Sequence, residues 1–328
     1  MALGNEKPTA SLPTISLQDL QTGDKNEIQA LFQACSGHGF FYLDLQGQSE
    51  LLAVWRKLLI VAHDYFIQPL ENKMLDARKS DTLGYEPAGT SVGARPGDVD
   101  AYESLKISRR EMLSGHTELT TAASKQSDLF FKFLDHAHGI TMMILSHLSD
   151  AVNVKNSERF EEYHHDDKPS LSTLALLHYP KHDSLPSGFG HNKHTDIGTL
   201  TFLLCEQFGL QVLSPENDGW AFVEPRPNHA IINVGDSLRF ISGHRLSSAV
   251  HRVVPVEEEQ TEDRYSIVYF LRMENEVKYR DGASRVWSAQ EWHDSKFNVF
   301  RDTQLPNGSE MLTGGMESGD KLRLKSVA

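Results

Sequence analysis

Two short segments hold residue types whose spacing could bind a metal ion. His194-Thr195-Asp196 sets an imidazole and a carboxylate two positions apart, and His251-Arg252-Val253-Val254 adds a second imidazole on an apolar, strand-like run. In extended backbone, residues i and i+2 point to one face, so His194 and Asp196 can address the same ion. With His251 they would form a two-histidine, one-carboxylate facial triad. That set leaves three positions of an octahedral metal open and is diagnostic of non-haem Fe(II) oxygenases. An H-x-D triplet alone is a weak signal, because His164-His165-Asp166-Asp167 holds two more, in a charged stretch beside Glu161 and Glu162. The His194 triplet instead precedes a β-rich run. Further along, Arg264 and Ser266 are again i and i+2. Their guanidinium and hydroxyl could clamp one carboxylate by an ion pair and a hydrogen bond. The competing reading of Arg264 is a surface pair with Glu257, Glu258 and Glu259.

These groups need a scaffold that brings distant segments together. From residue 171 short β-rich runs succeed one another at 171–179, 199–204, 210–213, 221–223, 229–234, 238–241, 249–254 and 266–271. Gly, Pro, Asn and Asp separate them, which predicts a β-sandwich or jelly roll. Asn233-Val234-Gly235-Asp236 supplies turn chemistry between two of the runs. Ahead of this core, residues 12–17 read as a short strand and 25–36 as a helix, with Ile28, Leu31, Phe32 and Cys35 on one apolar stripe. A strand at 40–43 and a helix at 49–66 follow. Residues 84–97 are rich in Gly and Pro and read as loop. A long amphipathic helix at 124–152 is expected to support the core, and another runs from 289 to 300.

Composition narrows the function classes. With 328 residues the chain can bury a large core without staples. The 45 acidic side chains outnumber the 32 basic ones, for a formal net charge of −13, which argues against a protein that grips nucleic acid through its phosphates. Only Cys35 and Cys205 are present, so no disulfide framework is expected and a reducing, cytoplasmic setting is the natural reading. No apolar run nears the ~18 residues of a membrane span. No membrane association and no obligate protein partner are expected.

The pattern resembles the 2-oxoglutarate- and Fe(II)-dependent dioxygenase superfamily, in its isopenicillin N synthase-like branch. The family's H-T-D-x-G-x-L-T stands here as His194-Thr195-Asp196-Ile197-Gly198-Thr199-Leu200-Thr201. Gly209-Leu210-Gln211-Val212, Trp220, Asn233-Val234-Gly235-Asp236, His251-Arg252-Val253 and Arg264-Tyr265-Ser266 continue it. Towards the N-terminus, residues 12–17, Gly39-Phe40-Phe41-Tyr42, Tyr65-Phe66, Glu71-Asn72-Lys73 and Gly84-Tyr85 follow in the family's order. The match spans most of residues 12–275, although 103–170 carry no motif.

The resemblance implies a fold that is mainly β with helices: a double-stranded β-helix (jelly roll, cupin-like) core with an N-terminal α/β cap and supporting helices. The expected layout is a disordered stretch at 1–11, a cap region at 12–110, the catalytic core with support helices at 111–301 and a flexible tail at 302–328. It further implies that His194, Asp196 and His251 hold Fe(II), and that Arg264 and Ser266 hold the distal carboxylate of 2-oxoglutarate, with Tyr179 nearby. Leu177 and Lys181 replace an asparagine and a proline of the plant-type pattern, which bears on how the co-substrate's other end is held. The implied reaction consumes O2 and 2-oxoglutarate, releases succinate and CO2, and oxidises a C–H bond of a small molecule, in a texture similar to microbial, especially fungal, enzymes of natural-product biosynthesis. Tyr85, Arg95, Tyr102 and Val253 are candidates for the substrate wall. Two rivals stay open: an Fe(II) oxidase of the same fold that uses no 2-oxoglutarate, and a non-catalytic small-molecule-binding protein on the same barrel.

Overall fold

The computed structural model describes residues 7–93, 98–115, 119–181, 190–214, 219–256, 260–302 and 310–316. Residues 1–6, 303–309 and 317–328 of the expected termini, the candidate Arg95, and the acidic run Glu257, Glu258 and Glu259 lie outside them.

Two sheets form the core. The larger has eight strands in the spatial order Thr14–Ser16, Phe40–Asp44, His229–Val234, Leu200–Leu204, Arg264–Leu271, Thr173–Tyr179, Glu103–Ser108 and Gly84–Glu86. All neighbours are antiparallel except the first pair. The smaller sheet orders His191–His194, His251–Val253, Leu210–Leu213 and Trp220–Phe222. Facing antiparallel sheets of this kind form the jelly roll.

The two-residue period of a strand sorts its side chains between an inner and an outer layer. Phe40 and Tyr42, Leu203 and Cys205, Leu177, and Val268 pack inward beside Leu210 and Val212 of the small sheet. Their neighbours Phe41 and Leu43, Phe202 and Leu204, Leu174 and Leu176, and Ile267 and Tyr269 join a larger outer core. Both faces of the central strands are therefore buried, which is why these runs read as continuously apolar.

Helices close the outer face. Lys25–Ser36, Ser49–Phe66 and Ser127–Ala151 contribute Leu31, Trp55, Leu58, Phe130, Leu134, Ala137, Ile144 and Leu148 to that layer. The helix Ala289–Arg301 starts at a capping box, in which Ser288 accepts from the Glu291 N–H and the Glu291 carboxylate accepts from Ser288. Its Trp292 and Phe300 belong to a separate apolar cluster with Phe240, Tyr279 and Trp287.

Several local readings change. The run at 238–241 is part of a helix, Asp236–Ile241, and not a strand. A short apolar run does not distinguish the two by periodicity. Here Asp236 stands three residues before Arg239 and pairs with it, a contact that helical spacing provides. Ser16 ends the short strand Thr14–Ser16 and also caps the helix Leu17–Thr22 through its hydroxyl, so Leu17 of the expected strand is already helical. Within the expected loop at 84–97, Gly84–Glu86 pairs with Glu103–Ser108, a strand in the stretch that carries no motif. The long helix begins at Ser127, after a separate turn of helix at Thr121–Lys125. Inside the expected tail, residues 310–316 form a turn whose Leu312 carbonyl accepts from the Thr195 N–H and whose Leu312 side chain is buried.

Candidate active site

His194 and His251 are directly opposed across the pairing of their two strands. Strand register alone therefore brings two imidazoles, far apart in sequence, to a ring-centroid distance of 4.3 Å. Asp196 stands two residues past His194, on the turn that leaves the strand. Its Oδ1 is 3.6 Å from His194 Nε2 and 3.7 Å from His251 Nε2.

The remaining atoms of the three side chains are already engaged. His194 Nδ1 donates to the Asn192 carbonyl at 2.6 Å and His251 Nδ1 to the Ala249 carbonyl at 3.1 Å. Those bonds fix the tautomer in which each Nε2 carries a free lone pair. Asp196 Oδ2 accepts from Thr201 Oγ1 at 2.5 Å and Asn233 Nδ2 at 2.6 Å, which leaves Oδ1 for an ion. All three side chains are buried. Burial lowers the His251 pKa to about 4, with His194 adding to the effect and Asp196 opposing it. Burial alone would raise the Asp196 carboxyl, yet the imidazoles of His251 and His194 and the Asn233 amide hold it well below the usual range. Two imidazole nitrogens with free lone pairs beside an ionised carboxylate are the donor set a divalent metal requires, so these residues fit Fe(II).

The turn carrying Asp196 is anchored from behind. Lys296 Nζ, fully buried, donates to the Thr195 carbonyl and hydroxyl and to Asp236 Oδ2 at 2.6–2.8 Å. The Asp236 N–H donates to the Asp196 carbonyl at 2.7 Å. Gly235 permits this approach, since a Cβ there would stand 2.2 Å from the Gly198 carbonyl oxygen.

Beside the triad lies a pocket of about 500 Å³ lined by Phe40, Thr201, Val253, Tyr179, Arg264 and Ser266, among others. Arg264 Nη1 donates to Ser266 Oγ at 2.9 Å, and its Nε donates to the Phe208 carbonyl at 2.9 Å. Its guanidinium lies 5.0 Å from the Tyr179 ring centre, on the strand register that opposes Arg264 to Tyr179. The Tyr179 hydroxyl is buried without a hydrogen-bond partner. A buried cation, a hydroxyl and an orphaned phenol within one pocket fit an acidic co-substrate such as 2-oxoglutarate. Leu177 lines the same pocket as an apolar side chain.

On the other side of the triad, a cavity of about 740 Å³ including its mouth is lined by Tyr102, Lys106, His191, Phe297, Phe300 and Arg272, among others. Of the four substrate-wall candidates, Tyr102 lines this cavity and packs against His191 at 4.9 Å, while Val253 lines the pocket that holds Arg264 and Ser266. Tyr85 does neither. It faces the outer layer, where its hydroxyl donates to Glu103, and the next residue, Glu86, takes the inward position. A one-residue step on a strand exchanges the two faces. His178 also points outward, stacked on Tyr265 at 4.8 Å with Nδ1 2.8 Å from Glu103. The competing H-x-D stretch is structural: His164 bonds Thr199 and the Phe160 carbonyl, and Asp166 forms a two-point pair with Arg109. Asp81, His293 and Asp294 also bring three donors together, but Asp81 is paired with Arg301 and Asp294 is exposed.

Sequence reading missed Asn233 and Thr201 as partners of Asp196, and Lys106 and Arg272 as cavity residues. Asn233 was visible only as turn chemistry. Arg272 shares the even-numbered face of Arg264, Ser266 and Phe270, and that parity was the available signal.

Comparisons with known proteins agree with this geometry. The family model of the 2OG-Fe(II) oxygenase superfamily matches residues 170–273, and that of the non-haem dioxygenase in morphine synthesis N-terminal region matches 12–128. The 2-oxoglutarate-dependent dioxygenase frbH of Dothideomycetidae sp. (strain 11243) is 51% identical over 94% of this chain and 96% of its own. The 2-oxoglutarate-dependent dioxygenase gloE of Glarea lozoyensis is 46% identical over 95% of each. Among solved structures, the dioxygenase for auxin oxidation of rice superposes with a TM-score of 0.66 at 21% identity, covering 92% of this chain and 99% of that one. Among the described residues no helix is long and apolar enough to cross a membrane. The chain belongs to the 2-oxoglutarate- and Fe(II)-dependent oxygenase superfamily and is a dioxygenase of that family.

Proposed function

We propose that His194, Asp196 and His251 hold Fe(II), that Arg264, Ser266 and Tyr179 receive the distal carboxylate of 2-oxoglutarate, and that the cavity lined by Tyr102 receives a small organic substrate. The observation that carries this reading is the triad itself: two Nε2 atoms and one carboxylate oxygen left free and convergent while every other polar atom of those side chains is occupied. The bound metal would supply oxygen activation coupled to decarboxylation of the co-substrate. The chain's own part is to keep the donors preorganised, to hold 2-oxoglutarate by charge-assisted bonds, and to present one C–H bond in a largely apolar chamber. Val253 belongs to the co-substrate side of this assignment. The fungal relatives and the chamber's size, which suits a metabolite, support a role in tailoring natural products. Buried thiols at Cys35 and Cys205 are compatible with a reducing cytoplasm.

Oxygen uptake and succinate formation by the Fe(II)-loaded enzyme, with and without 2-oxoglutarate, test the reading. Succinate should form in step with oxygen uptake only when 2-oxoglutarate is present. Oxygen uptake independent of 2-oxoglutarate would favour the oxidase. Failure to take up one Fe(II) or Mn(II) per chain would favour a binding protein.

A further inference from the structure

Arg272 immediately follows the strand Arg264–Leu271 and lines the substrate-side cavity. It shares strand parity with Arg264, Ser266, Val268 and Phe270, so one inward face carries a guanidinium at each end, roughly 26 Å of chain apart. Phe270 lies between the two pockets and lines both. The Arg272 side chain is 8% exposed. Its Nη1 donates to the Leu171 carbonyl at 2.5 Å, its Nε is buried without a partner, and among the described residues it forms no ion pair. The guanidinium lies 5.2 Å from the Phe270 ring centre, over a ring that lines the same chamber.

The other charged side chains of the chamber wall are already committed. Lys106 pairs with Glu86, and Arg301 pairs with Asp81 and reaches Glu86 at 3.8 Å. Of the charged side chains that line the chamber, Asp81 is thus held by Arg301 from outside it, and Lys106 and Glu86 hold each other. Asp196 is committed to the triad, and Arg272 is left without a carboxylate in contact among the described residues. A buried guanidinium without a carboxylate is costly, and the planar fork of an arginine matches a carboxylate at two points.

We infer that Arg272 is the substrate anchor: it receives a carboxylate of the substrate, so that the enzyme oxidises a small carboxylic acid held with its acid end at Arg272 and its carbon skeleton turned towards the triad. Tyr102, Phe297 and Phe300 then wall the apolar part of the molecule, and Lys106, already paired, tunes the field at the mouth. This inference rests on the proposed assignment of the triad and of Arg264.

The test uses the full chain loaded with redox-silent Mn(II) and saturating 2-oxoglutarate, which keeps Arg264 occupied. Calorimetric titration compares two size-matched probe pairs, phenylacetate with phenylacetamide and hexanoate with hexanamide. In each pair the acid is expected to bind about tenfold tighter than the amide, the scale of one charge-assisted hydrogen-bond pair. In Arg272→Gln the preference should shrink to within about twofold, and Arg272→Lys should keep several-fold of it. The affinity for 2-oxoglutarate should stay within about twofold in both variants, which also reports that they fold. No preference for the acid in the wild type, including no binding of either probe, overturns the inference, as does a preference that survives in Arg272→Gln. If the wild type binds neither Mn(II) nor 2-oxoglutarate, the assignment beneath the inference fails, and that outcome is recognisable before any probe is added.

Discussion

The two ends of the strand Arg264–Leu271 hold the same functional group in different surroundings. At the Arg264 end the guanidinium is fixed by Ser266 on its own strand, by Tyr179 on the paired strand and by the Phe208 carbonyl. Each of these contacts follows from sheet register or from the loop that joins core strands. At the Arg272 end the walls come from separate places: Tyr102 just before the strand Glu103–Ser108, Lys106 on it, and Phe297 and Phe300 from the C-terminal helix. The barrel thus builds the pocket at Arg264 almost wholly from its own framework, whereas the chamber at Arg272 combines core strands, through Ala175, Leu177 and Phe270, with the C-terminal helix. Function-specific chemistry can then vary on a constant scaffold.

Substitutions that act on one end only, or on both, would break or sharpen this comparison. The largest effect is expected where the ends meet. His194→Ala or Asp196→Ala should lower succinate formation by at least about 10³-fold and abolish stoichiometric metal uptake; turnover that survives either change would sink the assignment of the triad. Lys296→Met should act on the substrate end through the helix Ala289–Arg301. It removes one of the two buried cations at Asp236 and leaves Arg239 at 3.3 Å, so the loss is expected at about 2–3 kcal/mol in urea unfolding, the scale of a hydrogen bond to a charged group. A loss under about 1 kcal/mol would mean that the helix is held by its apolar contacts alone. Arg264→Gln should act on the other end, raising the Kd for 2-oxoglutarate about 10- to 100-fold with metal uptake unchanged. Equal weakening of probe acids in the substrate chamber would erase the distinction between the ends.

Asn233→Ala removes a donor from the back of Asp196 and should weaken metal affinity about 10-fold or more, as outer-shell changes generally do; competition with a chelator measures it. The smallest effect concerns the outer face of the strand whose inner face carries Lys106. Burial would raise the Glu103 pKa, but hydrogen bonds from His178, Lys73 and Tyr85 hold it below its ordinary 4.5. A depressed carboxylate contributes stability above the unfolded pKa and loses it as pH falls through the folded value. The wild type should therefore lose roughly 1 kcal/mol from this group as pH falls below 4.5, on the scale of a hydrogen bond to a charged group. Glu103→Gln should lack that component in the same unfolding series.

How much could be read in advance differs along the chain. The helices Lys25–Ser36 and Ser49–Phe66 match the expected spans because their apolar stripes and bounding glycines or turns are local signals. The strand Glu103–Ser108 was not anticipated, although Ser104-Leu105-Lys106-Ile107-Ser108 alternates polar and apolar; with only two apolar residues the period was too short to stand out. Tyr85 was expected in the substrate wall and stands on the opposite face, because on a three-residue strand nothing local sets the parity. The triad and the Arg264–Ser266 pair were legible because i, i+2 spacing on extended backbone already commits two side chains to one face.

The sequence by itself determined the donor set: two imidazoles, one carboxylate, and a guanidinium–hydroxyl pair, on segments whose apolar alternation and turn residues demand strands. Tertiary structure decided which atoms of those groups stay free. The Nδ1 atoms are taken by carbonyls and one Asp196 oxygen by Thr201 and Asn233 only once separate strands meet in register. It also decided that Arg272 is left unpaired in the chamber, because the nearby carboxylates Asp81 and Glu86 are taken by Arg301 and Lys106, which arrive from two other segments. Spacing along a strand is local and can be read from the chain, whereas electrostatic compensation is a property of neighbours in space.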